Sequence, residues 1–301
     1  MALMKEQPKK HKIWLAYILY GLLLTGVLLY CLFPSDAVRD YLVASVQKAN
    51  PDLGLSIERV APSLKLGMKV LGMKVSHQAK GEGTLFEAES VMVRPKLLSL
   101  LQGERRLSFK GVAYGGQFKG HAQFNEDKPE KPLILDLELK DVQMEKYEDL
   151  HRLIGRRING GVNGTLTYAG KGGSPIEGDG EADLRFYSGE VELLQPLLGL
   201  QSIDFDELWV KLLLKNRKIE LTRAELIGPN LRGTISGRVI LREELMGSGL
   251  DLKGTIEPLG EFYKSLASDP LTKQFVNQRL RGGKLSFAIQ GGMDKPRIRF
   301  L

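Results

Sequence analysis

From Leu133 the chain reads LILDLELKDV, and Leu133, Leu135, Leu137 and Leu139 alternate with Ile134, Asp136, Glu138 and Lys140. A period of two predicts a strand with one apolar face and one solvated face. The same alternation returns at Leu208, Val210, Leu212 and Leu214, and again at Leu285, Phe287 and Ile289. RLSFKGVAYGGQFKGHAQF (106–124) predicts a hairpin, out through Leu107 and Phe109, turning at Gly115–Gly116, and back through Phe118 and Phe124. Upstream, LSIERVAP, LKLGMKVLGMKVSH and TLFEAESVMVRP predict further strands. In the second of these, Leu66, Met68 and Val70 give way to Leu71, Met73 and Val75, a change of parity that predicts a turn or bulge around Gly72. Downstream, VNGTLTYAG, EGDGEADLRFYSGE, DELWVKLLLKN, RKIELTRAELIG, NLRGTISGRVIL and SGLDLKGTIEP continue the series.

The period lengthens in four places. Val38, Leu42, Val43 and Val46 predict a short helix over 35–50 that starts at Ser35 or Asp36. Tyr147, Leu150, Ile154 and Ile158 predict a second over 143–158, ended by Gly160–Gly161. LGEFYKSLASDPLTKQFVNQRL (259–280) predicts a third, broken around Pro270. The longest apolar run comes first: Ile13–Phe33 holds 21 residues without a charge. As a helix it measures about 30 Å, the thickness of a hydrocarbon core. Trp14, Tyr17 and Tyr30 lie toward its ends, Lys5, Lys9, Lys10 and Lys12 precede it and Asp36 follows. This predicts a retained single-pass anchor over 13–33, a cytoplasmic tail over 1–12 and translocation of 35–301. A cleaved leader fits less well, because its apolar core is shorter and ends at small residues rather than at YCLFPSD.

Together these elements predict a mainly β fold: an N-terminal transmembrane helix, then an elongated, curved antiparallel sheet with a few short helices. A globular β-sandwich is the rival. RRINGGVNGTLTYAG (156–170) and QRLRGGKLSFAIQGG (278–292) form an imperfect repeat. Glycine, 34 of 301 residues, recurs at strand positions as GTL and GTI, which favours bending of the sheet. Few helices over so many strands leave aliphatic surface open, the signature of a ligand or partner site. The candidate apolar groove is Leu133, Leu135, Leu137, Leu139, Leu208, Val210, Leu212, Leu214, Leu285, Phe287 and Ile289, and acyl chains suit it because they ask for no directional groups.

Composition removes other classes. Lys and Arg number 43 against 36 Asp and Glu, a formal +7 dispersed along the chain, without the basic–aromatic stretches of nucleic-acid binders. One cysteine excludes an internal disulfide framework or thiolate cluster. The four histidines, His11, His77, His121 and His151, have no ligand spacing, so no metal or cofactor is expected. There is no G-x-S-x-G elbow and no P-loop, and Glu177 and Asp179 alone do not make a calcium loop. Asp204 and Asp206 are expected on a solvated strand edge or turn. No residue is expected to be catalytic.

Several stretches resemble a known group. AYGGQFKG (113–120), SIDFDEL (202–208), LIGPNLRGTISGRVIL (226–241) and the closing KPRIRF follow a basic tail and one apolar helix. The pattern resembles the AsmA-like superfamily, and within it the type II secretion system protein N family (GspN). Phe287, Ile289, Gly291, Pro296 and Ile298 match the F-x-I-x-G-x-x-x-x-P-x-I sequence that ends a module in such proteins. The resemblance implies a bacterial inner-membrane protein with a periplasmic β-groove of the lipid-transfer type. It implies type II secretion components, the membrane and phospholipid as partners, and no catalytic residues. A phospholipid-transfer or outer-membrane biogenesis factor independent of secretion is the alternative.

Overall fold

A computed structural model describes residues 10–63, 67–77, 83–96, 99, 105–124, 133–151, 155–170, 175–197, 200–242, 247–260, 262–264, 274 and 278–301. The chain is mainly β. Two helices, α1 (Lys10–Cys31) and α2 (Ser35–Ala49), precede fourteen strands. These are β1 (Leu53–Ser63), β2 (Gly67–His77), β3 (Gly83–Pro95), β4 (Arg105–Ala113), β5 (Gly116–Phe124), β6 (Leu133–Gln143) and β7 (Ile158–Gly170). They continue as β8 (Asp179–Leu197), β9 (Leu200–Lys215), β10 (Lys218–Ile227), β11 (Leu231–Ile240), β12 (Gly249–Pro258), β13 (Leu285–Gly292) and β14 (Pro296–Phe300). All fourteen form one open antiparallel sheet in chain order, each strand paired with the next. This is the predicted class; a sandwich would break that order into two packed sheets.

Local chemistry sets the tight turns. Tyr114–Gly115 (φ 52 and 72), Asn216–Arg217 (φ 48 and 61) and Gly282–Gly283 (φ 57 and 79) each place two successive residues at positive φ. That is the type I′ geometry whose twist matches a two-residue hairpin. The first hairpin therefore turns one residue earlier than expected, with Ala113 facing Gly116.

The parity change in β2 is a kink, not a turn. Met68, Val70 and Met73 all reach the same core cluster, as do Leu55, Ile57 and Val60 of β1, and Phe86, Ala88, Val91 and Val93 of β3. An odd step in each of three neighbouring strands rotates one half of the strand against the other, keeping both halves' apolar residues on one side. Gly72 makes this possible: its φ is +58, and Glu58 lies where a Cβ would stand. α2 packs on β1, with Val38 and Leu42 against this cluster.

The expected helix over 143–158 is overturned at both ends, while Leu150 and His151 are helical and the His151 carbonyl accepts from the Gly155 N–H at 2.8 Å. Met144–Lys146 is a 3-10 turn, and Ile158 belongs to β7, where it pairs with Val191. Gly160–Gly161 lies inside β7 rather than after a helix, so the repeat with 278–292 holds only for the strands that follow. Residues 152–154 lie outside the described residues, as does much of the helix expected over 259–280, of which Gly260, Phe262–Lys264, Gln274, Gln278 and Arg279 are helical. Asp204 and Asp206 are exposed in β9, an internal strand, and not on an edge.

Taken over the described residues alone, no helix is long and apolar enough to cross a membrane. Over its whole backbone α1 runs 22 residues, about 33 Å at 1.5 Å per residue. Trp14, Leu15, Tyr17, Ile18, Leu19, Tyr20, Leu23 and Leu24 are exposed around it, without a polar side.

Candidate functional site

The strand registers decide whether the predicted aliphatic positions share a face. Leu135 faces Tyr168, which faces Gly180, which faces Leu214. Leu137, Leu166, Ala182 and Leu212 form the next row, and Leu139, Gly164, Leu184 and Val210 the one after. Leu133 faces Gly170, and Phe186 faces Leu208. Residues directly opposite in a sheet project to the same side, so the groups in β6 and β9 lie on one face although seventy residues separate them. The row through Leu208 continues through Leu226, Gly233 and Ile256 to Leu285. In parallel, Gly254 faces Phe287, which faces Phe300, and Leu252 faces Ile289, which faces Ile298. Backwards from Leu139 the row runs through Phe118, Gly111, Val91 and Val70 to Val60. One aliphatic face thus crosses all fourteen strands.

Burial along this face is uneven. Near the start Val60 is fully buried, and near the end Leu285 and Phe287 are 0% and 4% exposed. Leu285 and Phe287 are therefore core residues at one end and do not face an open groove, which corrects the expectation for these two. The members in β6 and β9, together with Ile289, are only half-buried. Two packed ends flank a middle stretch in which Val142, Val162 and Ala182 are buried while the leucines of β6 and β9 keep access to solvent.

Glycine and phenylalanine interlock at the packed ends. Phe109 faces Gly120 and Phe118 faces Gly111 in the same hairpin, the two halves of a repeated Phe-Lys-Gly. A Cβ on Gly120 would meet the Phe109 ring at 2.6 Å, and one on Gly111 the Phe118 ring at 2.6 Å. Phe287 lies over Gly254 in the same way. Phe86 and Phe118 come from strands two apart, yet their rings meet edge to face at 5.8 Å. Neighbouring strands are about 4.8 Å apart, so these side chains converge.

The opposite face carries charge in cross-strand pairs: Lys119–Glu138 at 3.0 Å, Glu181–Lys211 at 2.8 Å, Arg185–Glu207 at 2.8 Å and Arg238–Asp251 at 3.1 Å. Trp209 is held there between Arg185 and Arg223, whose guanidinium carbons lie 4.8 Å and 3.7 Å from its ring, and its Nε1 donates to Asp183 at 2.6 Å. Partly exposed pairs contribute little individually; their effect is to keep this side wet and so fix which face is apolar.

Where β4 ends short of the start of β3, side chains replace the missing ladder. The Thr84 N–H donates to Asp149 at 2.7 Å and the Glu87 N–H to the Tyr114 hydroxyl at 2.7 Å. The Tyr147 hydroxyl lies 2.6 Å from the Leu85 carbonyl and 3.0 Å from that of Thr84. The rings of Tyr114 and Tyr147 stack at 4.9 Å. Burial pushes the Tyr147 phenol up to about 12, with Tyr114 and Asp149 adding to it. Tyr147 and Asp149 read as part of a helix in the sequence and Tyr114 as part of a hairpin; the tyrosines that cover a strand edge carried no separate signal.

The module-end residues form the last hairpin: Gly291, at φ 110, faces Pro296, and Ile289 faces Ile298. Pro296 opens β14, a position where a missing N–H is tolerated. Among the described residues no group of three or more His, Cys, Asp or Glu side chains could hold a metal ion. Fold and face together define a class, an open antiparallel meander with one continuous aliphatic face and one charged face. No family model, no curated protein and no solved structure matches the chain.

Proposed function

We propose that this is a non-enzymatic envelope protein, held in a bacterial inner membrane by α1 with the N-terminus cytoplasmic and the sheet in the periplasm. Its half-open aliphatic face takes an acyl chain or an apolar segment of a partner protein, and it serves type II secretion as an accessory component. The observation that carries the reading is the aliphatic face unbroken across all fourteen strands, with packed ends and a half-exposed middle. A face of this extent needs an apolar partner, and the converging Phe86 and Phe118 rings favour a sheet bent toward that side. Apolar residues around α1, with lysines before it, support the anchor. The secretion role rests on the resemblance in AYGGQFKG, SIDFDEL and the last hairpin. The aliphatic face equally supports phospholipid transfer without secretion.

The test is to purify the full-length protein from membranes, extract it and identify bound lipid by mass spectrometry. Wild type should carry phospholipid in fixed ratio, and Leu212→Asp, at a half-exposed central position, should fold and lose it. Lipid absent from wild type, or unchanged in a folded Leu212→Asp protein, defeats the lipid reading. Deleting the gene separates the two roles: substrates of type II secretion trapped in the periplasm support the secretion role, and normal secretion leaves lipid transfer alone.

A further inference from the structure

The charged face has a trough of its own. Its volume is about 400 Å³ and it crosses β3 to β7. The register places two outward rows along it. Arg94, Ser108, His121 and Asp136 stand on one side, and Lys110, Lys119 and Glu138 on the other. The backbone row from Phe109 through Gly120 to Leu137 makes the floor between them.

Two features of this trough lack an internal explanation. Lys110 and Lys119 face each other directly, and like charges directly opposite destabilise a sheet. Glu138 answers Lys119 at 3.0 Å, while among the described residues no ion pair reaches Lys110. Arg94 is the second. Its Nε is buried without a partner, and its Nη2 donates to the Met92 sulfur at 2.9 Å, a weak acceptor. An Nε–H shielded from water without an acceptor is unfavourable. The repeated Phe-Lys-Gly, folded about a two-residue turn, brings the lysines together while its phenylalanines and glycines interlock on the other face.

The geometry points to a binding site for a phosphate group in this trough, with Arg94 and Lys110 as its charge partners and Lys119 and His121 beside them. Phosphate offers oxygens to a guanidinium and to an ammonium at once, and satisfies both groups that the fold leaves open. The trough has room for more than the anion, so glycerol phosphate or a phospholipid headgroup shares the chemistry with free phosphate. The site lies on the face opposite the aliphatic one and does not depend on what that face binds.

The experiment is isothermal titration of the full-length protein in nonionic detergent with inorganic phosphate, glycerol 3-phosphate and dihexanoyl phosphatidylglycerol, with dihexanoyl phosphatidylcholine as a headgroup comparison. Wild type should bind at least one of the first three saturably. Lys110→Gln and Arg94→Gln should each weaken that binding about tenfold, the loss of one charge-assisted contact. Lys253→Gln, exposed on the same face in β12, should leave it unchanged. Free phosphate and glycerol phosphate binding as tightly as the lipid identifies a soluble anion; the lipid alone binding identifies a headgroup. Lys110 is exposed, so its replacement keeps the fold even if that of Arg94 does not. No saturable binding by any probe, or equal affinity in wild type, Lys110→Gln and Lys253→Gln, overturns the site.

Discussion

Replacing Gly120 by alanine tests whether the interlocked hairpin holds one end of the sheet. Gly120 faces Phe109 across the β4–β5 pair. A methyl group there would run into the Asp136 carbonyl oxygen and stand 2.6 Å from the Phe109 ring. Neither obstacle retreats easily. The carbonyl belongs to the backbone of β6, and the ring is flanked by Phe118 at 6.2 Å between centroids. Forcing an extra methyl into a packed place costs about 1–3 kcal/mol, offset by about 0.4–1 kcal/mol because alanine has less freedom to lose on folding. The net expectation is a destabilisation of about 1–2 kcal/mol. Gly233 provides the matched comparison, since the nearest heavy atom to its Cβ is the Thr255 carbonyl oxygen at 3.6 Å, ordinary contact. Gly233→Ala should therefore stabilise, by about 0.4–1 kcal/mol. Urea unfolding of the full-length protein in detergent, followed by tryptophan fluorescence, reads both as shifts of midpoint at constant slope. Phe109→Leu should rescue part of the Gly120→Ala loss, because the ring is one of the two clashing groups, and the two changes should be non-additive. Equal midpoint shifts for Gly120→Ala and Gly233→Ala, or additivity with Phe109→Leu, would refute the interlocking.

Leu285→Ala removes a side chain that is 0% exposed at the far end of the sheet; a loss of about 2–5 kcal/mol is expected, read in the same urea titration. Tyr147→Phe withdraws the donor shared by the Leu85 and Thr84 carbonyls, and should raise hydrogen exchange of β3 amides near Thr84 and Glu87 while leaving β11–β14 unchanged. Because the folded Tyr147 phenol is held at about 12 against 10.0, its contribution is complete below pH about 10 and is lost as pH rises through about 12. Wild type should therefore lose stability in that window more steeply than Tyr147→Phe, and parallel pH profiles would contradict the assignment.

Much of the sheet was readable in advance because its strands alternate cleanly. LILDLELKDV can be only a half-buried strand, and the parity change at Val70–Leu71 located the kink at Gly72. The register between strands was not readable. That Leu137 and Leu212 lie in one row follows from turns and bulges distributed through β6 to β9, and no local pattern encodes it. The first turn of the helix expected over 143–158 failed for a related reason. Tyr147 and Leu150 have helical spacing, but Tyr147 is committed to carbonyls about sixty residues earlier, so a tertiary demand overrides the local period. Leu285 and Phe287 have the same alternation as Leu212 and Leu214. Phe287 is buried by residues of β9 to β14 and by Phe262 packed around it.

The two faces constrain each other. Fourteen strands at about 4.8 Å make a sheet about 60 Å across, and an isolated flat sheet of that width would leave its aliphatic face in water. The chain closes the two ends with side chains that interlock over glycine: Phe118 over Gly111 at one, Phe287 over Gly254 at the other. In the middle, from β6 to β9, the facing residues are leucine, alanine, glycine and valine, with Tyr168 and Phe186 the aromatics. In this stretch Val142, Val162 and Ala182 are buried, while the leucines of β6 and β9 on this face stay half-buried. The charged pairs behind them, Lys119–Glu138 through Arg185–Glu207, disfavour covering the sheet by a second copy stacked on the wrong side. The same residues that stabilise the fold at its ends therefore leave one stretch for an apolar occupant, and the substitution that separates folding from occupancy is the one made there, at Leu212.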